Sequence, residues 1–461
     1  MSSFLIKQAP ALQILIPLFA AIINTILFRL DIGNLITRIV SIILLCLNCI
    51  LFFNHDFCNS LYYHFSNFPA PIGISYKIEQ INLHLICFSN ILLLLFSFCL
   101  KDSIEKNILN FIKSKYSNLF YSIILLLHTG TSGILSSSDL FHLYVCLEII
   151  SLSCCTLISQ GKNKEHINAA LDYLIIGSIG AVFILLSTGF ILYFNGSLSI
   201  EHINIAKNHK IFSITISLFL VGTLMKVALF PLNFAIFKIY YRTNPIILSY
   251  IAPISSIVGF YILYLVYYKI FALSTGYHNI SILLTICASS TIVIFSIIAS
   301  IGNNFRTLLI SSAAANVGYM IFIFLLPEKA CNKILPPYLI ADGFSKFALF
   351  ILLNNTDSTL DLLGAVGRKY KLLGAALVVI IFSNSGLPLT IGFVNKFTLI
   401  TELISHYYII PVIVISLASI ISLKYHFKIL YNLYSYKEKI VDINQYVPII
   451  ITAFLMTLLL I

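Results

Sequence analysis

The stretch at residues 224–241, "LMKVALFPLNFAIFKIYY", decides the fold because a proline and a lysine interrupt an otherwise apolar run. Pro231 lacks a backbone N–H and its ring clashes with the preceding turn, so a helix through this stretch should kink or split. Lys226 would place a charge inside the hydrophobic layer, where an ionisable side chain is a functional hypothesis by default. The stretch therefore predicts a broken membrane helix, which is tolerated only where it lines protein or a wet cavity.

A second stretch, residues 383–400, "SNSGLPLTIGFVNKFTLI", repeats this pattern with its own lysine, Lys396. Its proline, Pro388, lies 157 residues after Pro231, so five helices intervene per repeat. Paired interrupted helices in matching positions are typical of internally repeated transporters, and an odd number of helices inverts the second copy. The two breaks thus predict two inverted five-helix repeats, each with a broken helix.

The composition excludes an ordinary soluble domain. The 461 residues are 59% hydrophobic and 10% charged, with a mean hydropathy of +0.99. Apolar runs of about 20 residues, long enough to cross a ~30 Å hydrocarbon core as a helix, number about fourteen. They are approximately 11–30, 33–53, 81–100, 118–136, 139–159, 168–194, 211–230, 245–269, 279–301, 305–326, 335–353, 372–400 (interrupted), 409–431 and 446–461. An outer-membrane barrel would need short alternating strands instead. The predicted fold class is an all-α polytopic membrane protein.

The connections between these runs are short. None is long enough for a soluble domain, so residues 1–461 are predicted to form a single membrane domain. Its predicted parts are N-terminal helices at 1–100, a first repeat at 118–269, a second repeat at 279–431 and a C-terminal helix at 446–461. The first apolar run follows a single lysine and lacks a small-residue cleavage pattern, which favours a retained helix over a removed signal peptide.

The net charge of +11 is distributed unevenly along the chain. Eighteen lysines and arginines flank the odd-numbered connections, and seven lie on the opposite side. Because basic residues concentrate on the cytoplasmic side, this bias predicts an even number of helices with both termini outside, in the cell inner (plasma) membrane. The expected partner of the basic charge is the lipid bilayer and not nucleic acid.

Four ionisable side chains lie deep inside predicted spans: Glu148, Lys226, Lys346 and Lys396. A charge at the bilayer centre costs at least ~2.5–3.5 kcal/mol, so each needs a reason to be there. Asp342 lies four residues before Lys346, which puts both on one helix face in the favoured acid-to-base order. These five residues are the candidate site.

Each of these side chains also has a structural interpretation. Glu148 could cap a neighbouring helix or pair with a lysine for packing, and Lys226 could extend to the interface. Lys346 could form a structural ion pair with Asp342, and Lys396 could reach water. The functional interpretation is a proton relay, because burial and nearby carboxylates control whether a lysine holds a proton, and moving one charge changes the next site.

No cofactor or metal site is predicted from the sequence. Nothing in it resembles a nucleotide-binding loop, a haem or iron–sulfur ligand set, or a Ser/His/Asp constellation. Cys46 and Cys49 lie within a predicted span without the further ligands that a metal site needs. The cysteines are interpreted as small apolar side chains.

Five stretches, taken in order, resemble a known family: "SSDLFHLYVCLEIISL", "LMKVALFPLNFAIF", "NFRTLLISSAAANVGYM", "DGFSKFALFIL" and "SGLPLTIGFVNKF". They are similar to the antiporter-like proton-channel subunits shared by respiratory complex I, an NADH–quinone oxidoreductase, and the Mrp-type cation/proton antiporters. The segment "FPAPIGISYKIEQIN" resembles the same family's lead-in, so the likeness runs from about 69 to 400.

This resemblance implies fourteen helices with two inverted five-helix repeats. It also implies that Glu148 on the fifth helix is partnered by Lys226 on the broken seventh, and that Lys346 on the eleventh and Lys396 on the broken twelfth continue the hydrophilic axis. Members of the family carry no redox cofactor themselves, so partner subunits would supply the energy.

The sequence also departs from the family pattern. Where the family usually has a lysine in the eighth helix, this chain has Ile257, with Ser255 and Ser256 beside it. The other departures are Asn233 and Asp342 for histidines, Glu79 for an aspartate and Asp172 for a lysine. These differences favour a divergent paralogue over a standard complex I subunit.

The leading hypothesis is proton translocation by a subunit of a multisubunit monovalent cation/proton antiporter or complex I-like assembly. Its partners would be other hydrophobic antiporter or complex I-like subunits, and the exchanged cation is left open between Na⁺ and K⁺. As an enzyme it would be at most a non-redox proton-pumping subunit of an NADH–quinone oxidoreductase-like complex. The alternatives are a stand-alone secondary transporter of a small solute and a non-transporting scaffold subunit.

Overall fold

The computed structural model describes residues 2–53, 61–65, 68, 70, 73–100, 117–161, 163–203, 210–270, 277–355, 366–435 and 446–460. Eight of the lysines counted in the charge bias lie outside the described residues: Lys101, Lys106, Lys113, Lys115, Lys162, Lys207, Lys437 and Lys439.

The described part of the chain is nearly all helical. Its helices are α1 Ser2–Ile26, α2 Gly33–Phe53, α3 Gln80–Cys99, α4 Ser117–Ser136, α5 Leu140–Ile158, α6 Lys164–Asn195, α7 Lys210–Val227, α8 Asn233–Arg242, α9 Pro245–Leu265, α10 Tyr277–Ile301, α11 Phe305–Ile321, α12 Glu328–Asn355, α13 Lys371–Ser385, α14 Ile391–Ser405, α15 Ile409–Tyr434 and α16 Tyr446–Leu458. Short helical turns at Ile200–His202, Val266–Ile270, Phe322–Leu325 and Val366–Lys369 join them.

Eleven helices among the described residues are long and apolar enough to cross a membrane, by length and composition. Three shorter apolar helices, Ser213–Val227, Lys371–Ser385 and Val447–Leu458, accompany them. The chain is therefore a multi-pass helical membrane protein, as its composition predicted.

The chain divides into two compact units. The first contains Met1–Val227 and Ile257–Tyr277, and the second contains Ala228–Ser256 and His278–Ile461. The main segment of the first unit therefore ends at the last residue of α7. The helix α9 is divided: its residues up to Ser256 belong to the second unit, and those from Ile257 belong to the first.

A buried hydrogen-bonded chain links four helices of the first unit. His128 on α4 meets Asn90 on α3 at 2.8 Å, and the Asn90 amide donates to Gln13 on α1 at 3.3 Å. Gln13 in turn donates to Asn48 on α2 at 2.7 Å. All four side chains are fully buried. Each forms a hydrogen bond with a side chain on another helix, and such bonds help membrane helices to associate.

A two-stranded antiparallel hairpin lies before α3. Its strands are β1, Leu61–His64, and β2, Ser75–Ile78. Beside it, the backbone of Leu140 at the start of α5 donates to Leu198 O at 3.0 Å, and Ser138 Oγ donates to Ser75 O. The hairpin and the segment after α6 thus form hydrogen bonds with the residues at the start of α5.

In the second unit, α12 lies among α11, α14 and α16 and is almost entirely buried. Asp342 and Lys346 on this helix are 4% and 7% exposed. The helix contains Pro336 and Pro337 in its first half. A buried helix that carries ionisable residues is where a membrane protein places function.

Candidate functional site

The first break separates α7 from α8 at the proline that the sequence singled out. Ala228, directly after α7, adopts a left-handed conformation with φ 61°. The backbone N–H of Phe230 donates to Thr291 Oγ1 at 3.2 Å, which satisfies a donor that the interrupted helix has lost. Residues without glycine's freedom adopt such conformations mainly at functional sites.

Lys226 lies in the last turn of α7, in the first unit. Its ammonium donates to Ser151 Oγ on α5 at 2.9 Å. Glu148, three residues before Ser151, acts electrostatically on the same ammonium and is itself hydrogen bonded to the Tyr144 hydroxyl. The structure therefore brings Glu148 and Lys226 into one polar cluster, in which Ser151 holds the lysine.

Small residues leave room around Lys226. A Cβ atom added to Gly177 on α6 would lie 3.7 Å from the Lys226 ammonium, and one added to Gly259 would lie 3.3 Å from the Lys226 carbonyl oxygen. Both Lys226 and Glu148 are partly exposed at the flank of the chain. The cluster is thus only partly covered by the described part of the chain.

The second unit contains a tighter ion pair. Lys346 Nζ lies 2.5 Å from Asp342 Oδ2 and donates to Ser256 Oγ on α9 at 2.8 Å. The Asn316 amide on α11 donates to Asp342 Oδ1 at 2.8 Å. The spacing of four residues along α12 brings the acid and the base together, as expected for neighbours on one helix face.

The second break separates α13 from α14. Gly386 ends α13 with φ 80°, and its N–H donates to Phe382 O at 3.0 Å, so the helix closes with a left-handed cap. Lys396 on α14 donates to the carbonyl oxygens of Asn384 and Ser385, both at 3.2 Å. The carbonyl end of a helix carries partial negative charge, so the cation binds where the break exposes it.

Lys396 is 8% exposed, and the aromatic ring of Tyr319 lies beneath it with 5.1 Å between Nζ and the ring centroid. An ammonium over an aromatic face is attracted to it. A Cβ atom added to Gly386 would lie 2.9 Å from Lys396 Cδ, so the glycine also leaves room for the lysine stem.

Two small cavities join the ion pair to Lys396. One, of about 10 Å³, is lined by Lys346, Asp342, Asn316 and Asn384. The other, of about 20 Å³, shares the last three of these residues and ends at Lys396. Because one water needs roughly 10–15 Å³, the cavities have room for about one water each between the two lysines.

The structure therefore divides the five candidate residues between two clusters. Glu148 and Lys226 lie together in the first unit, and Asp342, Lys346 and Lys396 line two small polar cavities with shared lining residues in the second. Sequence reasoning missed Ser151, Asn316 and Asn384. Asn316 could have been found, because it is a lone amide in the apolar run "SSAAANVGYM". Among the described residues, no three His, Cys, Asp or Glu side chains are grouped as metal ligands.

Residues 137–422 match the model of a family described as NADH:quinone oxidoreductase/Mrp antiporter, TM. The chain belongs to this family. It is 31% identical over 335 residues to NADH-quinone oxidoreductase subunit N 2 of Thermodesulfovibrio yellowstonii, which covers 72% of this chain and 73% of that protein. It is 27% identical over 291 residues to a Na(+)/H(+) antiporter subunit of Bacillus subtilis, covering 61% and 58%. The resemblance carried by the five sequence stretches is thereby confirmed.

A solved structure of the membrane-bound sulfane sulfur reductase, an archaeal respiratory membrane complex, contains a chain with the same fold. The TM-score is 0.89 at 20% identity, and the match covers 98% of this chain and 94% of that one. At this identity the likeness shows the fold alone.

Two departures from the family pattern can be located in the structure. Ile257 is buried at 1% exposure, and the adjacent Ser256 accepts the hydrogen bond from Lys346. Asn233, at the start of α8, is 2% exposed. The hydroxyl of Ser256 on α9 therefore binds Lys346, one residue before Ile257.

Proposed function

We propose that this protein is a proton-translocating membrane subunit of a multisubunit monovalent cation/proton antiporter or a complex I-like assembly. The observation that carries the proposal is the polar cavity from Lys346 and Asp342 to Lys396, which is enclosed by apolar helices. Such charges are costly in a membrane and therefore rare. Where they occur, they mark paths for ions or protons. No bound organic substrate is needed to account for a cavity that has room for about one water at each end.

Each candidate residue has a role in this proposal. Glu148 and Lys226 form the gating pair of one half-channel, and the Lys226 ammonium is held by Ser151 when it is turned away from the carboxylate. Lys346, paired with Asp342, and Lys396 pass the proton through the second half-channel. Water in the cavities would connect the last two.

The proposal includes fourteen spans with two inverted five-helix repeats, at 118–269 and 279–431, in one membrane domain. The two breaks support the repeats, because each pairs a proline with a lysine that lies in a polar cluster. Both termini lie outside the inner (plasma) membrane in this arrangement, as the placement of lysine and arginine indicates.

Other hydrophobic subunits are the proposed partners. On α5, Glu148 interrupts an exposed apolar stripe formed by Phe141, Val145 and Leu152. A carboxylate on such a face would meet hydrocarbon unless another polypeptide covered it. The names of the relatives, which include an NADH-quinone oxidoreductase and a Na(+)/H(+) antiporter, support such an assembly and make Na⁺ a candidate for the exchanged ion.

The test measures proton-coupled cation transport in everted membrane vesicles that contain the whole assembly. Glu148→Gln and Lys226→Ala should each abolish transport without preventing assembly, because each removes a proton-binding group. The matched controls are Glu165→Gln and Lys164→Ala, which change exposed charges at the start of α6. Undiminished transport by Glu148→Gln or Lys226→Ala would overturn the proposal.

Purification separates this function from the stand-alone transporter. We expect the protein to be isolated from native membranes together with other hydrophobic subunits, because the exposed apolar stripe that contains Glu148 would pack against one of them. A solitary protein that transports a small solute by itself would instead establish the second candidate.

A further inference from the structure

The relay proposed above does not include His426, a buried ionisable side chain near Lys396. His426 on α15 is 3% exposed. Its Nδ1 lies 2.9 Å from Ser422 O, and because a carbonyl oxygen only accepts, Nδ1 carries the hydrogen and donates it. In neutral imidazole the other ring nitrogen, Nε2, then has a lone pair that can accept a proton.

His426 belongs to the cluster around Lys396. Ser385 O at the end of α13 accepts from Lys396 Nζ at 3.2 Å and from Ser422 Oγ at 3.5 Å, and Ser422 O accepts from His426. Lys396 also acts electrostatically on His426. Lys396 therefore binds the Ser385 carbonyl directly, and His426 is linked to the same carbonyl through Ser422.

Aromatic side chains lie in the cluster around His426 and Lys396. The Tyr425 ring packs against it, with 4.5 Å between centroids. Tyr319 lies on the other side of Lys396, and both tyrosines are nearly fully buried. Lys396 is the charged neighbour that acts on His426 among the described residues. The imidazole and the ammonium would repel each other if both were charged, so a proton on one disfavours a proton on the other.

His426 also lies toward the end of its helix. Lys428, two residues later, donates to Gly302 O at 3.0 Å and Asn303 Oδ1 at 2.9 Å, and Asn303 is exposed. The remaining eight residues of α15 span about 12 Å at 1.5 Å per residue. His426 therefore lies two residues from a lysine whose partner Asn303 is exposed.

We propose that His426 is a proton-carrying residue of the relay, exchanging a proton with Lys396 and connecting it to the end of α15. In this step the N–H bond at Lys396 Nζ breaks and an N–H bond at His426 Nε2 forms, so the lysine becomes neutral and the imidazole becomes imidazolium. The reverse transfer restores the first state. The step rests on the proposed function and extends the path beyond the cavity.

A purely structural histidine would serve only as a hydrogen-bond donor and packing group. Substitution by two residues of equal size distinguishes these roles: Gln cannot titrate, whereas Glu can. The experiment measures proton-coupled cation transport by the whole assembly in everted vesicles for His426→Gln and His426→Glu. The control is His406→Gln, which replaces an exposed histidine at the end of α14.

The expected result is a transport rate reduced at least about tenfold in His426→Gln, since general acid–base groups contribute this much or more. His426→Glu should retain a clearly higher rate than His426→Gln, and the control should equal the native protein. Native transport by His426→Gln would overturn the proposal. Equal losses in Gln and Glu variants would also overturn it, because shape and not titration would then be the cause.

Lys396→Ala is measured in the same vesicles to keep the two proposals apart. If Lys396→Ala and Glu148→Gln lose transport while His426→Gln retains it, the relay stands and the role of His426 falls. If all of them retain transport, the relay itself fails. The amount of assembled complex, measured by gel filtration, confirms for each variant that a lost rate does not reflect lost protein.

Discussion

Gly386 is the residue on which the geometry of the second break depends. Its φ of 80° is strained for any side chain, and an added Cβ would lie 2.9 Å from Lys396 Cδ. A left-handed conformation costs an ordinary residue about 1–2 kcal/mol. The glycine therefore permits both the helix cap and the approach of the lysine to Asn384 and Ser385.

Gly386→Ala should lower the free energy of unfolding by about 1–2 kcal/mol, because the backbone strain adds to the displacement of the lysine stem. The measurement is thermal unfolding of the detergent-solubilised protein, followed by circular dichroism. Gly189→Ala is the control, since nothing lies within 4 Å of its added Cβ in α6. Alanine there should be neutral or stabilising by up to about 1 kcal/mol. Equal effects of the two substitutions would contradict this account.

At the residue scale the sequence predicts the ionisable members of the site better than their hydrogen-bond partners. A lysine in an apolar run such as Lys226 is conspicuous, and four-residue spacing alone brings Asp342 to Lys346. Ser151 and Ser256 are not conspicuous, because serines occur throughout apolar helices and most donate to their own helix backbone. Only packing shows which serine meets a lysine from another helix.

At the scale of elements, an ion pair and a hydrogen bond connect the hairpin to the segment after α6. Lys77 lies 2.6 Å from Glu79 and 2.5 Å from Glu201, and the Tyr62 hydroxyl donates to Glu201 at 2.7 Å. Burial acts to raise the pKa of Glu201, but the hydrogen bonds and the charge of Lys77 outweigh it and hold that pKa below its ordinary value. Burial acts to lower the pKa of Lys77, and the two glutamates hold it above its ordinary value.

The hairpin should therefore detach at low pH. Stabilisation from the lowered pKa of Glu201 is complete above the ordinary value of 4.5 and is lost as the pH falls through the folded-state pKa. Stabilisation from the raised pKa of Lys77 is complete below pH 10.5. It is lost only as the pH rises through that raised pKa. Faster hydrogen exchange in β1 and β2 at pH about 3 than at pH 7, after correction for intrinsic rates, is the expected result.

Glu201→Gln should show the faster exchange already at neutral pH, whereas Glu165→Gln, on an exposed residue elsewhere, should not. High salt should weaken the attachment, because these charges are partly exposed. Protection that is independent of pH in the native protein would show that backbone pairing alone holds the hairpin.

Among elements, the helices follow from the sequence and the hairpin does not. Pro231 and Pro388 locate the breaks because proline cannot continue a helix. The strand Ser75–Ile78 lies in a connection between two predicted spans, where the sequence indicated only a loop. Its alternation of "SYKI" is a strand signal, but four residues are too few to distinguish it from an irregular segment.

At the scale of the whole molecule, the arrangement in the membrane follows from the basic residues. The proposed topology puts the connection at Asn303 inside the cell and the connection at Tyr407 outside. Alkaline phosphatase fused after residue 303 should be inactive and the same enzyme fused after residue 407 active, because it folds only outside. The opposite pair of activities would invert the topology and remove the basis for placing the termini outside.

The sequence predicts membership of the family and a membrane fold, since motif order and hydropathy extend over most of the chain. It does not predict that the boundary between the two compact units falls at Val227, within the broken stretch itself. Periodicity along one helix carries no information about which other helices it packs against, so the division into units required the structure.

The buried chain from His128 through Asn90 and Gln13 to Asn48 has a consequence for biogenesis. Helices enter the bilayer separately before they associate, so each amide would first face lipid without its partner. Pairing after insertion stabilises the assembled set by roughly 0.6–2 kcal/mol per bond. A nascent chain that lacks any one of these four helices therefore leaves another of these side chains without its partner within the bilayer, which disfavours incomplete insertion.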